Sequence, residues 1–184
     1  NIKQWKAQNR QELQVSINTS PSHYFNLESN ITQWLNLLLD QKISARSILL
    51  EVTENLLMEA NEMVSKKLFQ FRQAGVDIAL DDFGTGYSSI SYLKRFPTDF
   101  IKIDRSFVKS MTDVSNDKVL CEAIIVMANK LGIKVVAEGV GRQEQYDVLK
   151  CMCCDYTPCY FIAKPLSKSD FESFSERHSR TFAA

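Results

Sequence analysis

Val76-Asp77-Ile78-Ala79-Leu80-Asp81-Asp82-Phe83-Gly84-Thr85-Gly86 is the stretch on which the fold turns. The apolar run from Val76 to Leu80 reads as a strand. It stops at two adjacent acids and then at a turn begun by Gly84. A regular strand cannot aim both Asp81 and Asp82 at one face, because neighbouring side chains alternate. The turn at Gly84 is expected to re-aim the second acid.

The same design recurs outward from this stretch. Short apolar or β-branched runs lie at Leu13 to Ile17, Ser47 to Val52, Phe100 to Ile103, Ile133 to Ala137 and, less cleanly, Asp155 to Ile162. Segments of helical period separate them. Ile31 to Asp40 places Ile31, Trp34, Leu35 and Leu38 on one face, and Asn61 to Ala74 places Val64, Leu68 and Phe71 together before Gly75. Ser115 to Leu131 carries Leu120, Ile124, Met127 and Leu131 and stops at Gly132; Gln143 to Lys150 and a short helix around Phe171 and Phe174 follow. Strand and helix in alternation imply a parallel sheet with helices packed outside it. An open Rossmann sheet would carry Gly-x-Gly-x-x-Gly after an early strand, and this chain has none. The expected fold is therefore α/β, a (β/α)8 TIM-type barrel. Such a barrel places its chemistry at the C-terminal ends of several strands.

The polar residues fall there. The first strand ends at Asn18, and the second carries Glu51 with Thr53 and Glu54 beyond it. The third ends at Asp81 and Asp82, the fourth holds Lys102 and leads into Asp104, and the fifth ends at Glu138. Lys102 and Asp104 are two apart and are expected to project together. One acid at a strand end is ordinarily a helix cap or a surface group. Polar groups at five strand ends in one barrel are better explained by a site. Oxygen-rich donors suit hard divalent cations such as Mg²⁺ or Mn²⁺. Two such ions can clamp the attacking and leaving oxygens of a phosphoryl displacement. His23 and His178 fall in loop or terminal settings and are read as surface residues. The residues alone reach a metal-assisted hydrolase or lyase.

Bulk properties narrow the partners. The 184 residues carry 22 Lys plus Arg and 22 Asp plus Glu, a balance that gives no electrostatic case for long nucleic acid or an anionic membrane. Five cysteines, an odd number clustered around Cys151, Cys153, Cys154 and Cys159 with Cys121 apart, argue against a secreted disulfide framework. Their spacing lacks paired zinc knuckles, so they read as ordinary strand or core residues. A cytoplasmic location is expected for the domain, and a parent protein can still be membrane-anchored.

Asp81-Asp82-Phe83-Gly84-Thr85-Gly86-Tyr87-Ser88-Ser89 resembles the signature loop of the EAL-domain cyclic di-GMP phosphodiesterases. Support comes in order from Ser16-Ile17-Asn18-Thr19-Ser20, Leu50-Glu51-Val52-Thr53-Glu54 and Ile101-Lys102-Ile103-Asp104-Arg105-Ser106-Phe107-Val108. Val136-Ala137-Glu138-Gly139-Val140, Cys154-Asp155-Tyr156 and Lys164-Pro165-Leu166 complete it. The resemblance implies metal-dependent opening of cyclic di-GMP to the linear dinucleotide in bacterial signalling, with Mg²⁺ or Mn²⁺. It implies Asn18, Glu51, Asp81, Asp82 and Glu138 as metal ligands, with Lys102 on the attacking water and Lys102 and Glu138 as the catalytic pair. Glu54 and Asp104 would support that set from behind. Phe83, Gly84, Thr85 and Gly86 would couple the site to a homodimer. A sensor or a diguanylate cyclase domain upstream is the expected companion.

Departures accompany the match. No Glu-Ala-Leu strand is present, so residues 1–184 are expected to form a single EAL-type domain incomplete at its N-terminus. Asn1 is expected to open inside a helix, with Ile2 and Trp5 on one face. Gly141 stands where the family has an acid, and Pro158-Cys159 where it has Gln-Gly. Pro158 offers neither an amide side chain nor a backbone N–H. These departures define the alternative, an EAL domain of weak or no activity serving as a cyclic di-GMP receptor or a dimeric scaffold. Arg95 and Pro97 fall near the stretch the family uses around guanine and phosphate, but neither is assigned a role.

Overall fold

The structure, a computed structural model, describes residues 5, 13–25, 31–86, 93, 95–111, 115–160 and 162–179, with side chains not described for 176–179. Among the described residues five parallel strands form one sheet in sequential order. They are β1 (Val15–Asn18), β2 (Ile48–Thr53), β3 (Asp77–Phe83), β4 (Phe100–Ile103) and β5 (Lys134–Ala137). The helices are α1 (Pro21–Phe25), α2 (Ile31–Asp40), α3 (Glu54–Met58), α4 (Glu62–Gln73), α5 (Arg105–Ser110), α6 (Asn116–Leu131), α7 (Gln143–Cys151) and α8 (Lys168–Ser179). Unbroken parallel order with intervening helices is part of a TIM barrel.

Alternation along the strands builds two faces. Ile48, Leu50 and Val52 of β2, Ile78 and Leu80 of β3, and Ile101 and Ile103 of β4 point to the helices and join the main core. From α4 and α6 that core takes Val64, Leu68, Cys121 and Ile125, all buried. The opposite face carries Leu49, Ala79 and Phe100, which form a separate small cluster with Val136 packed against it. This inner layer fills the barrel beneath the strand ends, and burying such side chains contributes about 1.5–3 kcal/mol each for the larger ones.

Five of the six expected strands are present among the described residues. The sixth, expected over Asp155 to Ile162, is reduced among the described residues to parallel bridges from Tyr156 to Val136 and from Cys159 to Val140. Pro158 between them has no N–H for a ladder, which limits continuous pairing. Helix starts follow their caps: Asn61 Oδ1 accepts from the Val64 N–H at 3.1 Å, and Ser115 Oγ from the Lys118 N–H at 3.2 Å. Three short helices, α1, α3 and α5, lie where no helix was expected. Each is five or six residues long, too short to show a 3.6-residue period.

Of the expected opening helix, Trp5 is described and is helical; Asn1 and Ile2 lie outside the described residues. The Trp5 ring packs tilted, at 58°, against Phe171 of α8 with centroids 4.9 Å apart, and its Nε1–H donates to Glu172 Oε1 at 2.9 Å. Cys121 and Cys159 are buried, whereas Cys151 and Cys153 are exposed. Burial pushes the Cys121 and Cys154 thiols up to about 11. No helix among the described residues is long and apolar enough to cross a membrane.

Candidate active site

Two residues above the apolar inner layer, the same strand faces become charged. Glu51 follows Leu49, Asp81 follows Ala79, Lys102 follows Phe100, and Glu138 follows Val136. The period of two makes this a direct consequence of strand geometry. Lys102 Nζ lies 2.9 Å from Glu51 Oε1, 2.9 Å from Asp81 Oδ1 and 2.8 Å from Glu138 Oε1. Lys102 and Glu51 are buried, at 8% and 6% exposure, while the Glu138 side chain is 35% exposed and faces the opening. Burial by itself would lower the lysine pKa. Hydrogen bonds to Glu138, Glu51 and Asp81 outweigh it and hold the ammonium charged well above the ordinary lysine value.

Asp82 is placed by the backbone. The pairing of β3 with β4 shifts register between Leu80 and Phe83, and Asp82 adopts φ +54° within the shift. The sequence assigned the re-aiming to the turn at Gly84; it happens two residues earlier, at this bulge. The Asp82 carboxyl is exposed, and Asp82 N–H donates to Asp81 Oδ1 at 3.1 Å. Partial burial, then Asp81 and Asp104, raise the Asp82 pKa against the opposing pull of Lys102 and Arg105.

Asn18 ends β1 opposite Glu51 in the pairing. The next residue, Thr19, fastens the two strands: its N–H and Oγ1–H donate to the Glu51 carbonyl at 3.1 and 2.7 Å. Glu138 lies one residue beyond β5, with its N–H donating to the Ile103 carbonyl at 3.2 Å. Gly139 follows with φ +72°, and a Cβ there would sit 2.6 Å from Arg105 Cβ. Only glycine permits that approach.

Asp104 does not join Lys102. It caps α5, its Oδ1 accepting from Ser106 N–H at 2.9 Å and from the Ser106 hydroxyl. Partial burial opposes the charge, but the Ser106 hydrogen bonds prevail and hold the carboxyl below its usual range. Glu54 is buried at the start of α3, where Gly86 passes so closely that a Cβ would lie 3.3 Å from Glu54 Oε2. Thr85 turns the loop, its Oγ1–H donating to the Asp82 carbonyl at 2.9 Å. Phe83 is buried in the main core, and Gly84 lies against Phe107 and Ile124. Tyr87, Ser88 and Ser89 lie outside the described residues.

Arg95 and Pro97 sit elsewhere. They line a cavity of about 490 Å³ at the N-terminal ends of β3 to β5, the opposite end from the carboxylates. Arg95 instead lies over the Phe96 ring at 5.3 Å. A second cavity of about 560 Å³ runs from Asn18 and Thr19 to Trp34 and Leu37. His23 Nδ1 accepts from the Ser20 N–H at 3.1 Å, a turn contact on the exposed surface. Pro158 is exposed, and the Gly141 N–H donates to Gln145 Oε1 at 3.1 Å. Gln145 was missed from the sequence. Its signal was a glutamine three residues into a helix, and the residue in the cap position, Arg142, is not a capping type.

Among the described residues no three His, Cys, Asp or Glu side chains form a preassembled metal-binding group. The physical reason is visible: the Lys102 ammonium takes the point on which Glu51, Asp81 and Glu138 converge. The donor chemistry itself suits a hard divalent cation, being carboxylate oxygens aimed at one positive centre.

The fold is thus a partial parallel α/β barrel with acids and one lysine gathered at its strand ends. The chain matches the EAL domain family over residues 1–165, and it belongs to that family. The cyclic di-GMP phosphodiesterase NbdA of Pseudomonas aeruginosa is 42% identical over 68% of this chain, and the chain spans 16% of that relative's length. The EAL domain of Mycobacterium smegmatis DcpA superposes with a TM-score of 0.87 at 29% identity, covering 96% of this chain and 79% of that one. Klebsiella pneumoniae BlrP1 in its manganese and cyclic di-GMP complex superposes with a TM-score of 0.77 at 29% identity, covering 88% of this chain and 41% of that one.

Proposed function

We propose that this chain is the catalytic framework of a phosphodiesterase that hydrolyses cyclic di-GMP to the linear dinucleotide with Mg²⁺ or Mn²⁺. The observation that carries this reading is the convergence of Glu51, Asp81 and Glu138 on Lys102 at the C-terminal ends of four strands. NbdA and the BlrP1 complex supply the substrate and the precedent for a divalent cation. Asn18, Glu51, Asp81, Asp82 and Glu138 would hold the ions, as two sites. Bound there, the ions would acidify the attacking water and neutralise charge on the phosphodiester.

The side chains divide the remaining work. The Lys102 ammonium, its three N–H donors held by its three partners, would stand beside the attacking oxygen as a fixed positive charge and steady negative charge as it develops. Glu138, the most open of the three acids, accepts the proton that the water loses as its oxygen bonds to phosphorus. The P–O bond to the ribose oxygen breaks, and that oxygen takes up a proton from solvent. Glu54 supports the loop at Gly86, and Asp104 fixes the start of α5 behind Lys102.

The segment Phe83–Gly86 would link this site to a homodimer. Gly84 rests on Ile124 of α6, whose outer face exposes Val119 and Val126 at 64% and 51%. A pair of α6 faces would cover those side chains.

The second reading is a cyclic di-GMP receptor of weak or no activity. Pro158 favours it, since a positioning amide is missing and such a loss can cost about 10²–10³ in rate. One experiment separates the readings. The protein is incubated with cyclic di-GMP and Mn²⁺, products are followed by chromatography, and binding is measured by calorimetry with Ca²⁺. Hydrolysis that stops on chelation and in Glu51→Gln is the expected result. Tight binding without turnover selects the receptor, and absence of binding removes both readings.

A further inference from the structure

We infer that Gln145 is a positioning residue that sets the geometry of the Lys102–Glu138 pair from outside the barrel. The inference rests on the phosphodiesterase reading for its kinetic arm and on the structure alone for its physical arm.

Gln145 lies in the first turn of α7, yet it is buried, at 5% exposure. Its Oε1 accepts from both the Gly141 and Arg142 N–H groups at 3.1 Å. Its Nε2–H donates to the Val108 carbonyl at 2.8 Å in a buried contact. The first two bonds belong to helix capping. The third reaches across to α5, the helix that follows the strand bearing Lys102.

The two loops joined this way are the ones that matter. Glu138 begins the loop that Gly141 and Arg142 finish, and Asp104 and Arg105 begin the helix that Val108 helps to close. Gly139 already rests on Arg105 with no room for a Cβ. Val140 between them is fully buried. The loop is therefore braced by Arg105 near Glu138 and by Gln145 at its far end. Near the acid, the loop is also joined to the β4–α5 unit by the Gly139 contact, by the bond from Glu138 N–H to the Ile103 carbonyl and by the Lys102–Glu138 ion pair, whereas the amide holds its far end. A buried amide bonded through both its oxygen and its nitrogen rigidifies what it connects. Residues that orient a working carboxylate typically cost about 10–100-fold when lost.

Gln145→Glu isolates the bridge from the cap. A glutamate at this helix position accepts from the same two N–H groups. Ionised, it cannot donate to the Val108 carbonyl. Gln145→Leu removes both functions. Hydrogen exchange is followed by mass spectrometry on the peptides covering 138–142 and 105–111, beside steady-state kinetics with cyclic di-GMP and Mn²⁺.

Both variants are expected to exchange faster in both peptides, with kcat reduced about 10–100-fold and KM within about threefold. Wild-type exchange and turnover in Gln145→Glu would show capping alone and overturn the inference. Loss of protection over the whole chain would show a folding role and overturn it equally. If the wild-type protein itself turns nothing over, the phosphodiesterase reading fails, and the exchange pattern of Gln145→Glu still decides the bridge.

Discussion

Two layers of the barrel interior lie two residues apart on the same strand faces and behave oppositely. The lower is Leu49, Ala79 and Phe100 with Val136, closed and apolar. The upper is Glu51, Asp81, Lys102 and Glu138, three carboxylates held within 2.9 Å of the lysine nitrogen. Strand propensity does not separate them, since both layers use the same backbone. Height along the strand does. The apolar layer gives the sheet its cohesion. The charged layer is tolerable because each acid meets the same cation and Glu138 still reaches solvent. Its contribution is therefore to arrangement more than to stability.

Lys102→Met breaks the contrast most severely. It leaves three carboxylates facing one another, and we expect a loss of about 3–5 kcal/mol in urea denaturation and of at least about 10²-fold in turnover. Added Mn²⁺ should restore part of the stability, and a variant insensitive to Mn²⁺ would contradict the proposed cation site. The lysine pKa is raised by folding, so its stabilisation is present below the ordinary value of about 10.4 and lost as pH rises above it. Between about pH 6 and 9 its charge should not change.

Phe100→Ala strikes the lower layer instead. A cavity in place of this buried ring should cost about 3 kcal/mol, with kcat per folded molecule nearly unchanged. A large fall in kcat would show that the layers are not separable. Gly139→Ala tests the join between units. The left-handed backbone alone costs about 1–2 kcal/mol, and the approach of Arg105 adds to it. Both stability and turnover should fall, because the displaced residue adjoins Glu138.

Asp104→Ala should be the mildest. Loss of a helix cap costs about 1 kcal/mol. Folding depresses the Asp104 pKa, so its stabilisation is present above the usual carboxylate value and fades as pH falls through the lowered one. The difference from wild type should therefore shrink on acidification. A deficit that grew with acid would contradict the assignment.

The strands and long helices were legible because each is decided locally, by period and caps. Glu51, Asp81, Lys102 and Glu138 were legible for the same reason: each sits two residues above an inward apolar or small side chain. What stayed hidden depends on partners distant in sequence. The aim of Asp82 comes from a register shift against β4. Asp104 left the charged layer because Ser106 offered a nearer partner. The capping half of Gln145 had a signal in its place in the first turn of α7, but its bridge ends on a carbonyl 37 residues away and had none.

Trp5 gives the molecule an optical handle. It is one of two tryptophans, and the other, Trp34, stacks edge-on with Phe71. An indole whose N–H is bound to a carboxylate and whose ring packs against phenylalanine differs in emission from one in water. The colour of Trp5 therefore reads out whether α8 is docked, 167 residues along the chain from it. With Trp34→Phe as background, undocking of that last helix becomes visible in a cuvette without any added label.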